Sequence, residues 1–225
     1  MGSPPVKGFG QGDAALAAWA ADVYRPEDGL LREIRERSAL AGLPTIQVGA
    51  FDGLHLEVLA RLAGARRAVE IGTLGGYSGV CLLRGMGDAG RLDTFELEPA
   101  HAEVARAAFE RAGFGPRVRI HVGPAAERLR DVEGEGPFDL VFVDADKTGY
   151  PGYLDWAERH LRVGGVLVAD NTFGFGHVHE ERPAGESAAA MAALRAFSEQ
   201  LARGGRFRAT MLPTAEGLSL GVKVR

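Results

Sequence analysis

Cysteine is nearly absent from this chain of 225 residues, where Cys81 stands alone. One thiol excludes an internal disulfide and any thiolate metal cluster, and its apolar surroundings give it a packing role in a helix. Lysine is almost as scarce: only Lys7, Lys147 and Lys223 occur, in a chain rich in arginine. Long apolar runs are missing too. No stretch approaches the roughly 20 residues that span a bilayer, and residues 1–13 carry no secretory apolar region. The formal net charge is -4 with no run of like charge, so neither nucleic acid nor an anionic membrane has an electrostatic footprint here. These absences leave a cytoplasmic enzyme as the expectation. With 46% hydrophobic and 25% charged residues there is enough apolar material for one large core.

Helical spacing of Leu16, Trp19, Ala20 and Val23, then of Leu30, Leu31, Ile34 and Leu40, predicts two amphipathic helices over 13–24 and 27–41. After a break at Gly42-Leu43-Pro44, Asp52 reads as the N-cap of a third helix that runs through Leu62 and ends near Gly64. From Arg67 the pattern changes. Strand-length runs at 68–71, 92–97, 118–122, 138–143 and 163–169 alternate with helical segments at 78–86, 100–112, 125–129 and 152–161. Such alternation predicts an α/β fold with a doubly wound, Rossmann-like sheet, mostly parallel. An Ala-rich helix over 186–203 follows, and strands at 207–212 and 218–224 then form an antiparallel hairpin. The expectation is one domain, with a helical extension over 1–66 and an α/β core over 67–225. The polar segment 174–185 has the length of a functional loop and reads as a lid.

The runs 138–143 and 163–169 show no polar alternation, as expected of parallel strands buried on both faces. Each stops abruptly in oxygen-bearing side chains, Asp144-Ala145-Asp146-Lys147 and Asp170-Asn171. Ligands of open α/β sheets bind at that edge, and neighbouring strands lie about 4.8 Å apart, so Asp144, Asp170 and Asn171 could share one ion. Two carboxylates and an amide suit magnesium, calcium or manganese better than zinc. Lys147, three residues beyond Asp144, is a candidate general base, because a neighbouring cation favours the neutral form of an amine. Tyr150, Tyr153, Trp156, Phe173 and Phe175 surround these positions in sequence and are candidates to sandwich an aromatic acceptor. His177 and His179 fall in the lid.

A second pocket is written at the first strand end, where Glu70-Ile71-Gly72-Thr73-Leu74-Gly75-Gly76-Tyr77-Ser78 sets an acid before a glycine-rich turn into a helix. The next strand ends in Glu96, 24 residues after Gly72, where such folds place an acid that accepts ribose hydroxyls. The turn lacks the dinucleotide spacing, and Glu70 would repel a phosphate but attract a cationic amino group. That combination favours S-adenosylmethionine over a nicotinamide dinucleotide.

Taken together, these residues make the chain resemble the cation-dependent O-methyltransferases of the catechol and caffeoyl-CoA type over residues 43–224. The resemblance is carried by 70–78, 141–147 and 164–172, in order and spacing. It implies that Asp144, Asp170 and Asn171 hold the metal and that Lys147 is the general base beside Asp144. It further implies cofactor contacts from Val48, Glu70, Gly72, Thr73, Ser78, Glu96, Ala125, Asp144 and Asp146, and a homodimer. The substrate-binding lysine near the N-terminus of the plant caffeoyl-CoA enzymes has no counterpart, and Phe175 replaces their substrate-contacting asparagine. The implied acceptor is therefore a small aromatic ortho-diol rather than a coenzyme A ester. Two rival expectations are a non-catalytic S-adenosylmethionine-binding dimer and a nicotinamide-dependent reductase, although the reductase would need a dinucleotide turn and a Tyr-x-x-x-Lys pair that the sequence lacks.

Overall fold

Why the buried strands carry no polar alternation is explained by the two sides of the sheet. In the computed structural model, which describes residues 13–180 and 188–225, seven strands form one sheet in the order β3-β2-β1-β4-β5-β7-β6. These are β1 (Arg67–Ile71), β2 (Arg91–Glu96), β3 (Val118–Val122), β4 (Phe138–Val143), β5 (Leu161–Ala169), β6 (Phe207–Leu212) and β7 (Leu218–Lys223). Strands β1 to β5 pair in parallel, while β7 runs antiparallel to both β5 and β6. Alternate residues feed two separate cores. Ala68, Leu140, Phe142, Val166 and Val168 join one, and Val69, Ile71, Val141, Val143, Leu167 and Ala169 join the other. Both sides of the pleat are thus apolar, which gives the continuous runs.

The first core is covered by α2 (Gly29–Leu40), α3 (Ala50–Leu62), α4 (Tyr77–Gly85) and α5 (Pro99–Arg111). The second lies under α7 (Tyr150–His160) and α8 (Ala188–Arg203), with the short α6 (Ala125–Arg128) at its margin. Ahead of them, α1 (Ala14–Tyr24) starts at an Asp13 cap whose carboxylate accepts from the backbone N–H groups of Ala15 and Leu16. Most of its apolar face is uncovered: Leu16, Trp19, Val23 and Tyr24 are exposed, and only Ala20 is buried. Among the described residues no helix is long and apolar enough to cross a membrane.

Several expected boundaries move for identifiable reasons. Asp52 is not a cap, since α3 begins at Ala50 behind Gly49 and leaves Asp52 in the first turn, where a carboxylate favours the positive end of the helix. Helix α7 starts two residues earlier than expected because Pro151 suits the first turn. Leu161 belongs to β5, pairing with Phe138 before a register irregularity restores regular pairing from Leu140 onward. Residues 186 and 187 of the helix expected over 186–203, and Lys7, lie outside the described residues.

Candidate active site

Asp144 and Asp170 begin where β4 and β5 stop, and backbone bonds keep those ends together. Asp144 N donates to Ile71 O at 2.8 Å, and Asp170 N donates to Val143 O at 2.9 Å. The crevice opens between β1 and β4, where the strand order reverses, which is the usual ligand position in such sheets. A cavity of about 1020 Å³ occupies it, large enough for a cofactor and a small second ligand.

Lys147 stands at the centre of one end. Its Nζ donates to Asp144 Oδ1 at 3.2 Å, Asn171 Oδ1 at 2.8 Å and the Tyr150 hydroxyl at 2.8 Å. That hydroxyl donates in turn to Asp170 O at 2.8 Å. Burial, reinforced by the charge of Asp144, raises the Tyr150 pKa well above its ordinary value, so the phenol keeps the proton it donates. Asn171 has a left-handed backbone with φ 57°, a region that asparagine tolerates better than most residues, and its side chain turns into the cavity. Asp170 is buried beside it, one of its oxygens accepting the Asn171 N–H at 2.8 Å.

The donor chemistry fits a hard divalent cation. Asp144 and Asn171 already point oxygens at one cationic nitrogen, and Asp170 adds a second carboxylate at the adjoining strand end. Among the described residues no three histidine, cysteine, aspartate or glutamate side chains are grouped to hold a metal, and a cation here would need the amide oxygen of Asn171 as a further donor.

At the other end, Glu96 is buried and lines the cavity, accepting from Leu74 N at 2.7 Å, Thr73 N at 3.3 Å and Glu98 N at 3.0 Å. His101 lies 3.4 Å from Glu96 Oε1, the oxygen that also accepts from Glu98 N. Val48, Gly72, Thr73, Ser78, Ala125 and Asp146 also line this cavity. Gly72 has a structural reason beyond any ligand. At φ 100° a Cβ would stand 1.9 Å from Asp144 O, so the turn can cross the β4 end only without a side chain.

Glu70 is placed differently from the sequence reading. Its position in the pleat turns it toward α4, beneath the cavity wall, where Ser78 and Thr94 hydroxyls each donate to it at 2.7 Å. Burial chiefly, with Asp144 and Glu96 adding repulsion, raises its pKa from 4.5 to about 7. An acid that binds its proton more tightly when folded stabilises the fold below its unfolded pKa and loses that contribution as pH rises through the folded one. Stability should therefore fall by about 3 kcal/mol between roughly pH 4.5 and 7. Urea unfolding of Glu70→Gln, neutral throughout, should show a flatter dependence over that window; parallel curves for the two proteins would contradict this assignment.

Of the five aromatic candidates, Tyr153 and Phe175 line the cavity. The Tyr153 hydroxyl donates to Asp146 Oδ1 at 2.5 Å, whereas Phe175 is half exposed at the rim. Trp156 instead packs against Phe138 and His160 in the second core, Phe173 lies against Gly217, and the Tyr150 ring is buried against Phe197. His177 faces Glu180 at 3.0 Å in the segment expected to form a lid, outside the cavity lining. His179 is exposed and does not line the cavity either. Residues 181–185 of that loop lie outside the described residues. Arg195 of α8 ties the described part down by donating to Val178 O and Glu180 O. Cys81 is buried in α4 as expected, and burial pushes its thiol pKa up. The sequence reading missed Glu216, which reaches Asn171 from the turn between β6 and β7, and Arg35, which lines the cavity over the Tyr77 ring. Neither stands in a local pattern with the other site residues, so only the tertiary pairing reveals them.

The chain belongs to the O-methyltransferase family, whose profile matches residues 20–224. It is 44% identical over 173 residues to the catechol O-methyltransferase of Mycobacterium tuberculosis, covering 77% of this chain and 78% of that one. Identity to the catechol O-methyltransferase of Niastella koreensis is 41% over 165 residues, with 72% and 75% covered. Among solved structures, the O-methyltransferase from Bacillus cereus in complex with SAH superposes with a TM-score of 0.85 at 36% identity, over 93% of this chain and 97% of that one. TomG from Streptomyces achromogenes, an O-methyltransferase solved in complex with SAM, gives 0.85 at 34% identity over 94% and 96%. The membership sets aside the nicotinamide-dependent reductase.

Proposed function

We propose that this chain is a magnesium-dependent enzyme that moves a methyl group from S-adenosylmethionine to one hydroxyl of a small aromatic ortho-diol. The observation that carries the reading is the convergence of Lys147 Nζ, Asp144 Oδ1 and Asn171 Oδ1 at one end of a cavity whose other end is walled by Glu96. The SAH and SAM complexes of the Bacillus cereus protein and TomG support the donor, and the names of the two catechol O-methyltransferases support the acceptor class.

Methyl transfer from a sulfonium is an in-line displacement: the C–S bond breaks as the acceptor O–C bond forms, leaving a thioether and an aryl methyl ether. The protein must hold the acceptor oxygen on the line and take its proton. Glu96 offers acceptors for the ribose hydroxyls, with Val48 and Ala125 as apolar walls. Lys147 accepts the phenolic proton and is kept on that side by Tyr150 and Asn171. Asp144, Asp170 and Asn171 would hold a divalent cation, which would supply positive charge that favours the phenolate and a preference for vicinal hydroxyls. Tyr153 and Phe175 give the acceptor ring apolar contact.

Transfer of labelled methyl groups to catechol and to phenol, with magnesium or excess chelator, tests this reading. Methylation of the diol that stops on chelation is the expected result. Equal methylation of phenol, or diol methylation untouched by chelator, would refute the metal-anchored mechanism; cofactor binding with no acceptor turned over would favour the non-catalytic dimer.

We also infer a cytoplasmic homodimer of chains that are each one domain. The exposed Leu16, Trp19, Val23 and Tyr24 on α1 support a second copy as cover. A monomer mass in light scattering would refute the dimer.

A further inference from the structure

The turn between β6 and β7 brings a carboxylate to the strand-end cluster on a backbone that is firmly held. Thr172 N donates to Gly217 O and Phe173 N donates to Glu216 O, each at 3.0 Å. The Thr172 hydroxyl donates to Gly217 O at 3.0 Å and accepts from the Ser219 hydroxyl at 2.9 Å. Gly217, at φ 77°, packs so closely that a Cβ would meet the Phe173 ring at 2.5 Å. From this clamp Glu216 reaches Asn171, whose Nδ2 donates to Glu216 Oε2.

An asparagine amide has a donor end and an acceptor end that a flip exchanges, whereas a carboxylate can only accept. Glu216 therefore holds the nitrogen, which leaves Asn171 Oδ1 facing Lys147 and the cation position. We propose that Glu216 is a positioning residue for the metal site, fixing the Asn171 amide with its oxygen toward the cation. The inference rests on the metal-dependent reading. Hydrogen-bonded partners of metal ligands commonly govern affinity by tenfold or more when removed.

The test is calorimetric titration of magnesium into SAH-loaded wild-type, Glu216→Ala and Glu216→Gln proteins, with NMR of the Asn171 side-chain amide. Alanine should weaken magnesium binding about tenfold or more, leave SAH affinity unchanged and move the Asn171 amide signals. Glutamine, which can still accept from Nδ2, should keep those signals near their wild-type positions and recover most of the affinity, a rescue that general structural damage would not give. Wild-type magnesium affinity in the alanine variant would overturn the proposal. Should wild type itself bind no magnesium, the metal reading fails, and the amide signals still decide: unmoved signals in the alanine variant would overturn the positioning role as well. If alanine prevents folding, the glutamine variant decides alone, and loss of the wild-type signals there would count against the proposal.

Discussion

Lys147→Ala should lower turnover by roughly 10²- to 10⁴-fold while S-adenosylmethionine affinity changes by less than about twofold, the range that a positioned general base contributes. The selectivity of that effect follows from placement. The three hydrogen bonds of Lys147 go to Asp144, Asn171 and Tyr150 rather than to Glu96 or the glycine-rich turn, so its loss leaves those proposed donor contacts in place. A group that acts on the proton in flight should lower kcat and kcat/KM together. Lys147→Arg should fail to rescue, because a guanidinium stays protonated and cannot take the phenolic proton. Steady-state kinetics on both variants check this, and a rate near wild type in the alanine variant would remove Lys147 from the chemistry.

Asp170→Ala should weaken magnesium binding by 10- to 100-fold or more and shift the magnesium requirement of turnover upward by a similar factor, the loss seen even for groups one bond removed from a metal. Asp170 is only 1% exposed, and one of its oxygens accepts the N–H of Asn171, so the alanine variant loses both a carboxylate and an anchor for the next candidate ligand. Partial recovery at high magnesium with an unchanged melting temperature would locate the defect in the metal site. Wild-type magnesium dependence would show that the ion, if used, is held elsewhere.

Both predictions draw on residues legible in the sequence, and the reason is topological. Parallel strands β4 and β5 must end side by side, so the residues just after Val143 and Ala169 meet whatever the details of packing. Glu96 was legible for the same reason, standing at the end of β2 next to the β1 turn. All seven strands were readable from composition and punctuation, but their order was not, because the crossing from β3 back to β4 beside β1 leaves no local trace. Glu70 shows where spacing fails. Its nearness to the glycine-rich turn placed it in the pocket, while the pleat turned it toward Ser78 and Thr94 instead. The aromatic residues divided similarly: Tyr153 reaches the cavity, but Trp156, one helical turn further along α7, is packed against Phe138. Glu216 depended on the antiparallel pairing of β5 with β7, which brings together residues 45 apart in the chain.

The central claim is that Lys147 and a cation at Asp144, Asp170 and Asn171 ionise and orient a vicinal diol. Its most direct test is the absorption spectrum of 4-nitrocatechol bound to the SAH-loaded protein, in which no methyl group is available and only binding and ionisation are read. With magnesium present, the bound ligand should show the band of a more ionised catecholate at a pH where the free ligand does not, and both chelator and Lys147→Ala should diminish it. A bound spectrum that matches the free ligand, or one that survives chelation and the loss of Lys147 unchanged, would contradict the account.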